Sequence, residues 1–290
     1  MKIPKRIEPL VEEGLIDSVI CQLMSGKEAM VYVVRCGTEL LCAKVYKETN
    51  KQNFRQNVSY TKDRLTRKGR SLHAIQRRSH FGRMAQKEAW QSTEVDTMSH
   101  LITVGVPTPK YYNFFEGVLL MELITDSNGD VAPKLNDLTL SPALARMYHD
   151  FLIRQIVRML CHDVVHGDLS EYNVLIGNQG PVIIDFPQAI SAASNYNAQR
   201  IFKRDVDNVT AYLSRFAPEL AYTDYGSEIW SLYHRGKLHL DVNLSGNTEE
   251  KTQPVNLSSV LDAINAVLKK EMAWQRYKQE RWTSRRLQQY

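Results

Sequence analysis

The stretch His166-Gly167-Asp168-Leu169-Ser170-Glu171-Tyr172-Asn173 constrains this chain more than any other. An apolar segment with helical spacing precedes it. Two short β-type runs, 174–176 and 182–184, follow, and the second ends directly in Asp185-Phe186. Asp168 and Asn173 therefore share one loop, with a further carboxylate just beyond a hairpin. Transfer of a phosphoryl group needs an acceptor for a substrate proton and hard oxygen ligands for Mg²⁺ on the phosphates. The fold must bring this loop and Asp185 to one place.

The N-terminal third supplies the opposing surface. Runs at 16–24, 29–35 and 40–46 alternate as strands, separated by turns at Ser25-Gly26-Lys27-Glu28 and Cys36-Gly37. Two successive hairpins point to a small antiparallel sheet. In the third run Leu40, Cys42, Lys44 and Tyr46 share one face, and Leu41, Ala43 and Val45 share the other. A lysine in such a strand either sits at a sheet edge with its head in water or aims its ammonium at phosphates. In the second case a carboxylate from a following helix holds it. Glu88, in the helical segment 82–102, is the expected partner, with Glu94 the second candidate. The Ser25-Gly26 turn has a single glycine and matches no standard phosphate loop, but it offers a hydroxyl and backbone N–H groups.

Charge is concentrated in one place. Residues 47–88 carry twelve Lys/Arg against three Asp/Glu, a local +9 in a chain of net +5. With its Ser and Thr residues and little apolar periodicity, 47–81 reads as a basic flexible insertion. A polyanionic partner or a solvated surface would account for the charge equally well. A second strand pair, 110–115 and 118–124, follows Gly105, Pro107 and Pro109. Ser141-Pro142 opens a long helix to about residue 163, and further helices are expected at 198–216 and 228–235. Asp205 and Asp207 fall in the first of these, either as metal ligands or as a brace for a neighbouring loop. Residues 241–256 read as a linker. The final helix, 258–290, interleaves basic and aromatic residues, which suits RNA binding or packing against the fold. No apolar run is long enough to span a bilayer, and no secretory signal is seen. The four scattered cysteines read as small apolar groups in a reducing cytoplasm.

Taken together, these residues resemble the RIO family of atypical serine/threonine protein kinases, its first subtype more closely than its second. The resemblance is carried by Ser25–Ala29, Ala43-Lys44-Val45-Tyr46, Lys87-Glu88, Gly105–Pro109, Met121–Ile124, Ala132-Pro133-Lys134-Leu135, His166–Asn173, Ile184–Gln188 and Arg204-Asp205. It covers about residues 15–235. It implies an α+β, two-lobed protein-kinase-like fold of trimmed RIO type. The small lobe (1–124) would hold an antiparallel sheet with one helix. The mainly helical large lobe (125–240) would hold the catalytic loop, and 241–290 would lie outside both.

The resemblance also implies ATP and Mg²⁺ between the lobes. Lys44 would contact the phosphates and pair with Glu88, while Ser25 covers them. Glu122 and Ile124 would hold adenine, Asp168 would accept the proton, and Asn173 and Asp185 would bind Mg²⁺. Proteins of this family also hydrolyse ATP through a phosphoaspartate at the position of Asp185. Ser170 stands where ordinary protein kinases carry a lysine, and Pro187 replaces the glycine of their Asp-Phe-Gly. The implied substrate is a protein, with autophosphorylation of the chain itself the simplest case. Two other readings stay open. One is a small-molecule phosphotransferase of the aminoglycoside or choline kinase kind. The other is an RNA- or ribosome-binding scaffold switched by nucleotide, using 47–81 and the basic C-terminal helix.

Overall fold

The computed structural model describes residues 4–26, 28–47 and 93–247. The chain divides into two compact units, Met1–Thr248 and Glu249–Tyr290. The second unit, where the sequence places a basic helix, lies outside the described residues. So does the basic segment from 48 to 92, including Glu88.

Three alternating segments form β1 (Ser18–Ser25), β2 (Ala29–Cys36) and β3 (Glu39–Tyr46); β4 (Tyr111–Phe115) and β5 (Val118–Glu122) complete the sheet. All neighbours are antiparallel, and the strand order is β1-β2-β3-β5-β4. β3 is therefore the middle strand, and Lys44 pairs with Val31 on one side and Leu119 on the other. An edge lysine with its head in water is ruled out; the residue is 7% exposed.

The two-residue period of the strands sorts their side chains into two cores. Leu41, Ala43 and Val45 join Val118 and Leu120 on the outer face, beneath Ile7, Leu10 and Ile16. The segment covering that face is a short helix, α1 (Glu8–Glu12), with Pro9 at its start and Gly14, at φ 72°, just beyond its end. Proline in the first turn and a left-handed glycine beyond the last set the two ends of this helix. Arg6 adds a hydrogen bond to the Tyr46 carbonyl at 2.7 Å. The inner face, with Ala29, Tyr46 and Leu119, belongs to the larger core.

A helix over 93–103 (α2) packs Met98 and Leu101 into that larger core. Next comes α3 (Pro142–Cys161), where Ser141 accepts from the Leu144 N–H at 3.2 Å and Pro142 occupies the first turn. Tyr148, Leu152, Ile156 and Met159 recur at helical spacing and are buried. Leu152 is fully enclosed, and truncating it to alanine should cost about 2–5 kcal/mol. Short strands β6 (Val164–Val165) and β9 (Ile190–Ser191) pair with each other, as do β7 (Val174–Gly177) and β8 (Gly180–Ile183). α4 (Ala198–Leu213) and α5 (Tyr225–His234) complete the helical half. No helix among the described residues is long and apolar enough to cross a membrane. The cysteines are unpaired; Cys42 is buried, but Cys21 is exposed on β1 rather than packed inside.

Candidate active site

The cleft is built from the inner face of the sheet and the segment between β6 and β9. Its centre is Lys44. The ammonium lies 2.6 Å from Glu94 Oε1 on α2 and 2.6 Å from Asp185 Oδ1. Burial alone would lower the lysine pKa, but the two carboxylates outweigh it and hold the ammonium charged, well above its ordinary value. Asp185 responds in the opposite sense. Burial pushes its carboxyl up, yet the contact with Lys44 dominates and keeps it below the usual range. The other Glu94 oxygen accepts from the Tyr46 hydroxyl, so both oxygens of this buried carboxylate are satisfied.

The carboxylate on Lys44 is therefore Glu94, the second of the two candidates. The hydrophobic period of 82–102 does not say which turn of the helix faces the sheet. Tyr46, whose hydroxyl donates to Glu94, is a residue that sequence reasoning passed over. Its one signal was its place two residues beyond Lys44 on the same strand face.

Asp168 is held by a braced loop. Gly167 has φ 86°, and a Cβ there would stand 2.1 Å from the Gln188 carbonyl oxygen, so only glycine fits. The Gly167 N–H donates to Asp205 Oδ2 at 2.7 Å, and the Gly167 carbonyl accepts from Arg204. Asn208 Nδ2 donates to the Leu169 carbonyl at 3.0 Å. Asp205 is thus a loop brace rather than a metal ligand. Burial, only partly offset by these donors, raises its pKa to about 6.

His166 is buried and uncharged, its pKa pushed down to about 4 by desolvation. Nε2 lies 3.0 Å from the Ile184 carbonyl and Nδ1 accepts from the Asp168 N–H at 3.3 Å, which assigns the proton to Nε2. The imidazole thereby ties the Asp168 loop to the strand end that carries Asp185. Asp185 itself has φ 73°, an uncommon conformation for a residue with a side chain.

Asn173 donates through Nδ2 to the Asp168 carbonyl at 2.8 Å, which directs its Oδ1 away from that bond. An amide oxygen and a carboxylate make a hard donor pair suited to Mg²⁺, so the residues present fit the cation. The Asp168 pKa is raised, by burial first and then by the charge of Asp185, with Arg204 opposing.

Over the cleft, the Gly26 N–H closes a turn on the Ala29 carbonyl at 2.9 Å. Lys47 Nζ clamps the same turn, at 2.6 Å from the Gly26 carbonyl and 3.2 Å from Ser25 Oγ. Glu28 is exposed overall, yet partial desolvation of its carboxyl and then the charge of Asp185 raise its pKa. At the connection between the two halves, the Glu122 N–H is spent on the Lys110 carbonyl. The Ile124 carbonyl is spent on the Ala132 N–H. Among the described residues no backbone partner takes the Ile124 N–H, which suits it to the edge of a base. The structure brings Lys44, Asp168, Asn173 and Asp185 together, with Ser25 at the end of β1 and Glu122 and Ile124 at the end of β5 and just beyond it.

Comparison with known proteins gives the same direction. A family model described as the RIO domain matches residues 30–225. The RIO-type serine/threonine-protein kinase Rio1 of Haloferax volcanii is 30% identical over 214 residues, covering 72% of this chain and 68% of the relative. The serine/threonine-protein kinase rio1 of Schizosaccharomyces pombe is 26% identical over 209 residues, covering 71% of this chain and 40% of the relative. The RIO2 kinase of Caenorhabditis elegans is 28% identical, covering 88% and 44%. The chain thus spans less than half the length of these last two. Among solved structures, the Rio2 kinase-ADP/Mg²⁺-phosphoaspartate complex from Chaetomium thermophilum superimposes with a TM-score of 0.53 at 19% identity. It covers 82% of this chain and 80% of that one. At this identity the likeness establishes the fold.

Proposed function

The chain belongs to the RIO family, and from that premise we propose that it is an ATP- and Mg²⁺-dependent serine protein kinase and ATPase that phosphorylates itself. The observation that carries the proposal is the Lys44 ammonium held between Glu94 and Asp185, with the His166–Asn173 loop tied to the same strand end.

Lys44 binds the phosphates, Ser25 and the Gly26 turn cover them, and the backbone of Glu122 and Ile124 receives adenine. Asn173 and Asp185 would hold Mg²⁺, which would supply charge neutralisation for the phosphates. Asp168 accepts the proton as a seryl oxygen attacks the γ-phosphorus and the bond to the β-phosphate oxygen breaks, releasing ADP. In the hydrolytic branch an Asp185 oxygen is the attacking atom, and water later cleaves the resulting acyl phosphate. The RIO-domain match disfavours a small-molecule phosphotransferase. Binding of RNA or a ribosomal particle rests on the local +9 charge of 47–88 and the basic C-terminal segment. Its affinity should fall steeply with added salt.

Incubation with γ-labelled ATP and Mg²⁺ tests the enzyme reading. Acid-stable label on serine identifies the kinase branch, and hydroxylamine-labile label identifies aspartyl phosphate. Asp168→Ala and Asp185→Ala should each abolish turnover; unchanged turnover in both would remove the assignment.

A further inference from the structure

Lys134 has no role in the chemistry described above, although it belongs to the Ala132-Pro133-Lys134-Leu135 element that the sequence singles out. Its backbone is fixed to the floor of the cleft. The Ala132 N–H donates to Ile124, the Ile176 N–H donates to the Pro133 carbonyl at 2.9 Å, and Lys134 bridges Leu175 on β7. From that anchor the side chain crosses to the opposite wall. Its ammonium lies 3.3 Å from Met24 Sδ on β1, next to Ser25. Its charge also reaches Asp185 and helps depress that carboxyl. Met24, Ser25 and Asp185 together place the ammonium at the mouth of the cleft, above the strand that follows Asn173.

This cation is poorly partnered. A thioether sulfur is a weak acceptor, and no carboxylate among the described residues lies at ion-pair distance from it. A lysine that only shields apolar surface would lay its stem down over its own segment; this one reaches across to the exposed edge of β1, where its ammonium meets Met24. The surrounding charge supplies the reason. Glu28 feels the charges of Asp185, Asp168 and Glu94, and Asp168 feels that of Asp185, while Lys44 is already committed to Glu94 and Asp185. A polyanionic nucleotide entering this cleft needs positive charge beyond Lys44 and one bound cation.

We propose that Lys134 is a nucleotide-binding residue whose ammonium leaves Met24 and donates to phosphate oxygens of a bound nucleoside di- or triphosphate. The proposal rests on the ATP site described above.

The test is equilibrium binding of ATP, ADP and adenosine to the full chain and to Lys134→Met and Lys134→Arg, with thermal melting of each protein without nucleotide as the folding check. An ammonium–phosphate hydrogen bond predicts about tenfold weaker binding of ATP and ADP to Lys134→Met. Adenosine affinity should change by less than about twofold, and Lys134→Arg should restore most of the loss, since arginine keeps the charge. Equal losses for adenosine and ATP, or no loss for either, would overturn the proposal and leave the ATP site standing. Failure of the unaltered protein to bind any of the three would overturn the ATP site and this proposal with it.

Discussion

Lys44 and Glu94 form a buried ion pair at 2.6 Å, joining the middle strand of the sheet to α2. Glu94 is 1% exposed, and its second oxygen is taken by Tyr46. Removing Lys44 would leave the Glu94 carboxylate buried without its cation, at a cost of about 3–5 kcal/mol; removing Glu94 costs less, because Asp185 still partners Lys44. Glu94→Ala should therefore lower both melting temperature and ATP turnover, the latter by about 100-fold. Lys44→Met should lower turnover at least as far. Glu88→Ala, assayed beside them, distinguishes the two carboxylates: a larger loss there than in Glu94→Ala would contradict the pairing.

Tyr46→Phe asks a narrower question. The ring still packs edge-on against Phe114, 6.2 Å between centroids, so the core is conserved. What disappears is the hydroxyl on Glu94, whose loss leaves one buried carboxylate oxygen unsatisfied at about 1–3 kcal/mol. If Tyr46 positions Glu94 and hence Lys44, the KM for ATP should rise while kcat changes little. Equal falls in kcat with KM constant would mean that Tyr46 acts on the transition state instead.

Gly167→Ala should be disabling. The new Cβ would meet the Gln188 carbonyl at 2.1 Å while the residue keeps φ 86°, so the loops carrying Asp168 and Pro187 must separate. Gly129→Ala is the matched control. Its φ is 85° with open space around the Cβ position, so it carries only the left-handed penalty of about 1–2 kcal/mol. Turnover should fall by at least about 100-fold in Gly167→Ala and stay near normal in Gly129→Ala. Similar activity in the two would show that the contact with Gln188 does not constrain the loop.

Much of this architecture was legible because local rules decide it. Strand alternation fixed which face Lys44 occupies, and Ser141-Pro142 marked the start of α3. The spacing of Asp168, Asn173 and Asp185 needed no tertiary information. The relations that escaped are those between segments far apart in sequence. The sequence offered Glu88 before Glu94 as the partner of Lys44, and only the packing of α2 against the sheet shows Glu94 there. The cover formed by Ile7, Leu10 and Ile16 depends on where the outer face of the sheet lies. Lys134 lies 110 positions from Met24, and no pattern within either segment signals their approach. Asp205 is the intermediate case: a brace for a neighbouring loop was foreseen from its place on a helix, but its partner, Gly167, was not.

The last prediction concerns acid stability. His149 is buried on α3, its Nε2 2.9 Å from Thr210 Oγ1 and its ring 5.3 Å from that of Tyr225. Desolvation lowers its pKa from 6.5 to about 4, with Asp150 opposing. Between those two values the unfolded chain binds a proton at this site and the folded protein does not, so acidification favours unfolding. The stabilisation from keeping His149 neutral is complete above about pH 6.5 and is lost as pH falls toward 4, at up to about 1.4 kcal/mol per pH unit. His166 shifts in the same direction, whereas Asp205, with its raised pKa, opposes it between about 4 and 6. Comparing variants rather than whole curves separates these contributions. His149→Gln keeps a partner for Thr210 but cannot take up the proton. Its unfolding free energy, measured in urea from pH 4 to pH 7, should fall less steeply on acidification than that of the unaltered protein, the two diverging by about 3 kcal/mol across the window. Parallel curves would show that His149 is as readily protonated in the fold as in the unfolded chain.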